Sequence, residues 1–149
     1  MEVAYGRVRV VLRDDPPNGR GSPTPVTVAA AGTYPWPEAG SVDIQIRERV
    51  AAGEPGFPGL FDADRLVWPL VLRARRPGDR MRPRGGRGGR RLSDLMIDAK
   101  IARDERGRLP ILTAGDGEIL FVPGLRPAEV GRPTASTRRS LHVHFQPAR

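Results

Sequence analysis

The sequence predicts an α+β fold that is mainly β: short antiparallel strands in a sandwich-like module with one or two short helices. Three observations predict it. Apolar and polar residues alternate in short runs, the pattern of half-buried strands. Glycine (18 residues) and proline (16 residues) cut those runs into pieces. Helical spacing is confined to one region and does not alternate with the strands, so a parallel βαβ sheet is not expected.

The elements follow in chain order. Residues 3–13 (VAYGRVRVVLR) alternate, with Val8, Val10 and Leu12 on one face. The cluster DDPPNGRGSPTP ends that strand, with Asp14 and Asp15 as turn formers. Residues 25–30 (PVTVAA) form a second strand, and residues 32–40 (GTYPWPEAG) read as a loop. Residues 41–49 (SVDIQIRER) alternate most cleanly, with Val42, Ile44 and Ile46 inward. Residues 51–59 read as a loop, 60–65 (LFDADR) as a short strand or turn, and 69–75 (PLVLRAR) as a strand with Leu70 and Leu72 on one face. Residues 76–91 lack apolar periodicity apart from Met81 and predict a long, basic, glycine-rich loop. Leu92, Leu95, Met96 and Ala99 then fall at i, i+3, i+4 and i+7, the spacing of a helix face. A second helical turn ends at Gly107, and residues 110–113 and 118–122 flank AGDG as a hairpin. Residues 125–137 are mostly loop, and Leu141, Val143 and Phe145 share one face of a terminal strand.

The chain has 149 residues, 25 basic and 17 acidic, with a formal net charge of +8. That length suits one domain, or two sub-lobes at 1–66 and 67–149. The absence of cysteine excludes a disulfide scaffold, a cysteine zinc site and a cysteine nucleophile. No apolar run is long enough to span a bilayer and no secretory leader is recognisable, so a cytoplasmic location without membrane contact is expected.

The position of the charge is more informative than its total. From Arg73 to Arg91 there are nine arginines and a single acid, Asp79, and the rest of the chain is neutral. Arginine offers a flat fork of donors that can grip phosphate bidentately. Glycine lets the backbone come close, and a loop running into a helix adds N-terminal donors, here at Leu92 to Leu95. The segment therefore reads as a clamp for a nucleic-acid backbone. Aromatic residues are scarce, which favours a duplex backbone over stacked single-stranded bases.

No catalytic constellation accompanies it. His142 and His144 lie two apart on a strand, facing away from its apolar side, without carboxylates nearby to complete a metal site. Asp62 and Asp64 read as turn residues or partners of Arg65, and Ser93 and Asp94 as helix N-cap residues. GGRGG is not followed by the Lys-Ser/Thr of a phosphate-binding loop. No metal or cofactor is expected in this chain.

RRPGDR at residues 75–80, RRLSDLMID at 90–98, IARDERGRLPIL at 101–112 and GDGEILFVPGLR at 115–126 follow one another. Together they resemble the C-terminal domain of the tRNA(Ile)-lysidine synthetase family, with Phe61 to Leu70 similar to its lead-in strand. The resemblance implies a mainly β module akin to a domain of phenylalanyl-tRNA synthetase β subunits. It also implies a role in binding tRNA(Ile), chiefly the acceptor stem. The family's enzymes adenylate the wobble cytidine in an N-terminal ATP pyrophosphatase domain, using ATP and magnesium, and join lysine to it. That domain and its phosphate loop are not in this sequence, so the chain is expected to be a non-catalytic C-terminal piece. Ser93 stands where the family usually has a basic residue, and the additional GRGG lengthens the basic loop.

The resemblance and the charge together nominate Arg73, Arg75, Arg76, Arg80, Arg82, Arg84, Arg87, Arg90 and Arg91 for phosphate and sugar contacts. Gly78, Gly85, Gly86, Gly88 and Gly89 are expected to shape the loop. Arg80 has a rival role, holding the loop through Asp79 or a buried carboxylate. The alternative for the whole domain is a packing surface for its own catalytic domain or for a second copy in a homodimer, with only non-specific RNA affinity.

Overall fold

A computed structural model describes residues 23–48 and 59–148. The strand expected at 3–13, the turn at Asp14 and Asp15 and most of the 51–59 loop lie outside the described residues.

Strands β1 (Val26–Val28), β2 (Gly32–Trp36), β3 (Gly40–Arg47) and β4 (Gly59–Asp62) come first, followed by a 3-10 turn at Ala63–Arg65. Then come β5 (Leu70–Arg73), β6 (Arg80–Met81), β7 (Arg90–Arg91), helix α1 (Leu92–Asp98) and helix α2 (Arg103–Arg106). Strands β8 (Ile111–Thr113), β9 (Ile119–Phe121) and β10 (Ser140–Pro147) are the last of the described elements. Two four-stranded sheets, ordered β1-β5-β8-β9 and β2-β3-β10-β4, are accompanied by a β6-β7 ribbon. Every strand pairing among the described residues is antiparallel. The mainly β sandwich with short helices is the fold class the sequence predicts.

The sheets do not divide the chain at residue 66. Strand β1 pairs with β5, and β10 lies between β3 and β4, so each sheet draws strands from both sides of that point.

Period-two alternation builds the core. Val42 and Ile44 of β3 meet Leu141 and Val143 of β10, and Val28, Leu70, Leu72, Leu112 and Leu120 face them from the other sheet. Removing each such side chain from water contributes about 1.5–3 kcal/mol. Strands β8 and β9 are buried on both faces. Leu112 and Leu120 enter the sandwich, whereas Ile111 and Ile119 join a second cluster with Met81, Leu92, Leu95 and Met96. Helix α1 and the basic ribbon are thereby seated on the outer face of one sheet.

Residues 32–40 are not simply a loop. Tyr34 and Trp36 alternate into the core as β2, and the turn begins only after Trp36. Pro35 obscures this pattern in the sequence. It is tolerated because, among the described residues, β2 is an edge strand with ladder bonds on one side only. Ala99 is exposed beyond the end of α1, so the buried helical face is Leu92, Leu95 and Met96.

Gly59 of β4 packs directly against Val143 of β10. A Cβ there would lie 2.7 Å from the Val143 carbonyl oxygen and 2.9 Å from its Cβ. Gly59→Ala is therefore expected to cost about 2 kcal/mol through forced separation of the strands. Urea denaturation checks this, and a stability equal to that of the parent would refute it.

Candidate nucleic-acid interface

Residues 76–91 are not a structureless loop. Arg80 pairs with Arg91 and Met81 with Arg90, closing a short two-stranded hairpin. Met81 is its anchor, 4% exposed among Leu92, Leu95 and Met96. Two-residue strands built largely from arginine carry no readable periodicity, and only the isolated Met81 could have signalled them.

The base of the hairpin is closed by the one acid in the segment. The Asp79 carboxylate accepts from Arg73 Nη1 at 3.1 Å, Arg73 Nη2 at 3.0 Å and the Arg76 backbone N–H at 2.8 Å. Burial alone would raise the Asp79 pKa. The Arg73 hydrogen bonds, the Arg76 amide and the charges of both arginines overcome it and hold the carboxyl below its ordinary value. Leu92 N–H donates to the Asp79 carbonyl at 2.8 Å, so this helix-start donor is already engaged. Arg91 is the α1 N-cap residue and supplies no side-chain bond, so Ser93 and Asp94 sit inside the first turn rather than capping it.

The arm of the hairpin around Arg84 is laced to the 126–132 segment. Arg84 N–H donates to the Pro127 carbonyl, and Glu129 N–H to the Arg82 carbonyl. Gly85 N–H donates to Glu129 Oε1 at 2.9 Å, and Arg126 Nη1 to the Arg84 carbonyl at 2.8 Å. The Gly85 amide and the Arg132 guanidinium together hold the Glu129 carboxyl below its ordinary value against a smaller opposing effect of burial. The Arg84 side chain turns inward, donating to the Ala128 carbonyl at 3.1 Å and the Leu60 carbonyl at 3.0 Å. Its guanidinium carbon lies 5.1 Å from the Phe61 ring centre. Burial and the nearby Arg132 lower the Arg84 pKa, but a guanidinium starts so high that it remains charged.

The nine nominated arginines therefore divide. Arg73 and Arg84 are held by internal partners, Arg73 by Asp79 and Arg84 by the Ala128 and Leu60 carbonyls. Arg80 does hold the hairpin, but by donating to the Gly89 carbonyl at 3.0 Å and not through Asp79. Arg82 donates to the Gly86 carbonyl at 3.1 Å, and Arg90 pairs with Asp98 at 2.8 Å on the surface. The guanidiniums of Arg75, Arg76, Arg87 and Arg91 make no hydrogen bond or ion pair among the described residues, and all but the half-buried Arg75 are exposed. Arg126 and Arg132, outside the nominated set, extend the basic surface beside the hairpin.

Gly78 and Gly85 adopt φ of +86° and +83°, so both turns need residues without a Cβ. Gly86 packs against the Pro83 carbonyl, whereas Gly88 has open space around it and Gly89 has only the Arg80 side chain nearby.

Arg84→Ala is expected to cost about 2 kcal/mol, because two buried carbonyls lose a charged donor and Phe61 loses its cover. Arg84→Lys should recover only part of this, since a single ammonium cannot reproduce the fork. Thermal denaturation of both variants checks the order, and equal stability of the two would refute it.

The remaining polar candidates have structural roles. Asp62 accepts from the Asp64 amide at 3.0 Å and from Thr137 Oγ1 at 2.8 Å. Asp64 pairs with Arg139 at 3.0 Å, not with Arg65. His144 is exposed as expected, but His142 is only 1% exposed and meets Ser140 Oγ at 3.0 Å. The solvated face expected for both histidines is therefore limited to one: His142 pairs with Leu60 of β4, itself buried, whereas His144 lies beyond the end of the β4 pairing. Among the described residues no three His, Asp or Glu side chains gather as a metal site, and no helix is long and apolar enough to cross a membrane.

Comparison with known proteins agrees with this architecture. The family model described as the TilS substrate C-terminal domain matches residues 70–143, which run from β5 through the hairpin into β10. The tRNA(Ile)-lysidine synthase of Symbiobacterium thermophilum is 38% identical over 149 aligned residues, covering 96% of this chain and 30% of that protein. The bifunctional protein TilS/HprT of Listeria monocytogenes is 38% identical over 86 residues, covering 58% of this chain and 13% of that protein. The chain thus spans less than a third of the length of either relative. A crystal structure of a TilS C-terminal domain superposes with a TM-score of 0.72 at 28% identity, covering 85% of this chain and 99% of that one. Sequence, strand arrangement and the span that carries the arginine hairpin converge, and the chain belongs to the family of TilS substrate C-terminal domains.

Proposed function

We propose that this chain is the substrate-recognition part of a tRNA(Ile)-lysidine synthase, and that its arginine hairpin grips the acceptor stem of tRNA(Ile). The intact enzyme ligates lysine to the wobble cytidine of that tRNA, and ATP and magnesium serve its separate catalytic domain. The present chain contributes binding and orientation.

One observation carries the reading. Four arginines, Arg75, Arg76, Arg87 and Arg91, have guanidiniums uncommitted among the described residues, in a segment whose single acid is consumed by the inward-facing Arg73. An external polyanion is the partner that such unneutralised charge attracts. Each phosphate neutralised releases condensed counterions, so affinity should be steeply dependent on salt. The ties from Arg84 and Glu129 hold the basic arm in place before RNA arrives, which reduces the ordering cost of binding.

Binding of the chain to an isoleucine-tRNA acceptor minihelix and to the matching anticodon stem-loop, across a salt series, tests this. Preference for the minihelix is the expected outcome. Equal weak binding to both, or to neither, would overturn the acceptor-stem reading and favour an assembly surface. Among the described residues the large exposed apolar side chains are Val67, Ile97 and Val130.

A further inference from the structure

We infer that the base of the hairpin holds a separate seat for a phosphate monoester, the terminal phosphate of an RNA end. This rests on the RNA-binding reading and adds to it a specific group. A hollow of about 480 Å³ lies where the turn after β5 meets the β7–α1 junction, lined by Arg75, Arg76, Gly78, Arg80, Arg91 and Ser93. Its size falls within the range of ligand pockets, about 300–1,000 Å³.

Charge makes this hollow unlike the rest of the hairpin surface. Four arginines line it: the Arg80 guanidinium is engaged by the Gly89 carbonyl, whereas Arg75, Arg76 and Arg91 have no side-chain hydrogen bond or ion pair among the described residues. The only carboxylate in the wall, Asp79, is held by both Nη atoms of Arg73 and by the Arg76 amide. It does not neutralise the hollow, because its charge is balanced by Arg73 beneath it. Gly78 leaves its side of the wall open, with no atom within 4 Å of where a Cβ would stand.

An internal phosphodiester brings one negative charge and two free oxygens. A terminal monoester brings about −1.5 to −2 charges at neutral pH and three free oxygens. Arginines that served only internal diesters would be spaced along the backbone, one or two to each phosphate. Three uncommitted arginines lining one concavity match the more highly charged, more exposed group, and planar forks can share its three oxygens.

The test compares three synthetic minihelices of one sequence: one with a 5′-monophosphate, one with a 3′-monophosphate and one with hydroxyls at both ends. The parent chain is expected to bind one phosphorylated form about tenfold more tightly than the hydroxyl form, the gain of one strong charge-assisted contact. The preferred form identifies the end. In the variant with Arg76→Gln and Arg91→Gln the preference should vanish, while Arg87→Gln, at the far end of the hairpin, should weaken all three duplexes alike and preserve it. Far-UV circular dichroism of each variant checks the fold. Equal binding of the three forms by the parent overturns the inference but leaves the RNA-binding reading intact. A preference that survives the double substitution in a folded protein also overturns it, because the seat would lie elsewhere. Binding of none of the three overturns both.

Discussion

Replacing Arg73 with alanine is expected to lower the free energy of unfolding by about 3 kcal/mol. Both members of the Arg73–Asp79 pair have side chains only 10% exposed, and the carboxylate takes two guanidinium bonds. Removing the cation leaves a largely buried carboxylate with the Arg76 amide as its remaining partner, a more costly state than never having had the pair. The damage should spread, because Asp79 also receives the Leu92 N–H through its carbonyl and so joins the turn to α1. Urea denaturation followed by tryptophan fluorescence measures the loss, and a variant within about 0.5 kcal/mol of the parent would contradict this account. The same pair sets an acid limit. The folded-state pKa of Asp79 is depressed, so its contribution is complete above the ordinary value of 3.8 and is lost as pH falls through the lower folded value. Arg73→Ala should therefore flatten the fall in stability below that pH, which a denaturation series in acid would detect.

Converting Arg76, Arg87 and Arg91 together to alanine is expected to weaken acceptor-minihelix binding about thirtyfold or more at moderate salt, with little change in stability. None of the three guanidiniums has a partner to lose among the described residues, and all three residues are exposed. If each neutralises one phosphate, the log–log salt slope should become shallower by about 2–3, at roughly 0.7–0.9 per contact. Fluorescence anisotropy across a salt series gives both numbers. An unchanged slope would remove these residues from the interface. A collapse of folding would contradict their assignment as free surface charge. The anchoring pair and the surface triple thus predict opposite outcomes, with Arg73 acting mainly on stability and the triple mainly on affinity.

Much of the architecture was legible because it follows from local pattern. Val42, Ile44, Leu70, Leu72, Leu141 and Val143 alternate as strands must, and their burial follows directly. Leu92, Leu95 and Met96 keep helical spacing and form the buried face of α1. The charge concentration between Arg73 and Arg91 was equally plain, as was the resemblance carried by the motifs from RRPGDR onward. Proline misled at β2, where an edge position tolerates what an interior strand would not.

The division of labour among the nine arginines was not legible. Nothing in RRPGDRMRPRGGRGGRR distinguishes Arg84 from Arg82, or shows that Asp79 serves Arg73 and not its neighbour Arg80. Those choices depend on partners distant in the chain: Leu60 and Phe61 from β4, and Ala128 and Glu129 from the loop before β10. The same holds for His142, which is buried beside Leu60 of β4 despite its polar character. By itself the sequence determined the fold class, the family and the location of the positive charge, because periodicity, motif order and composition are local properties. Tertiary structure alone decided which arginines brace the fold and which are left for a partner, because burial and carbonyl partners exist only once distant segments are packed together.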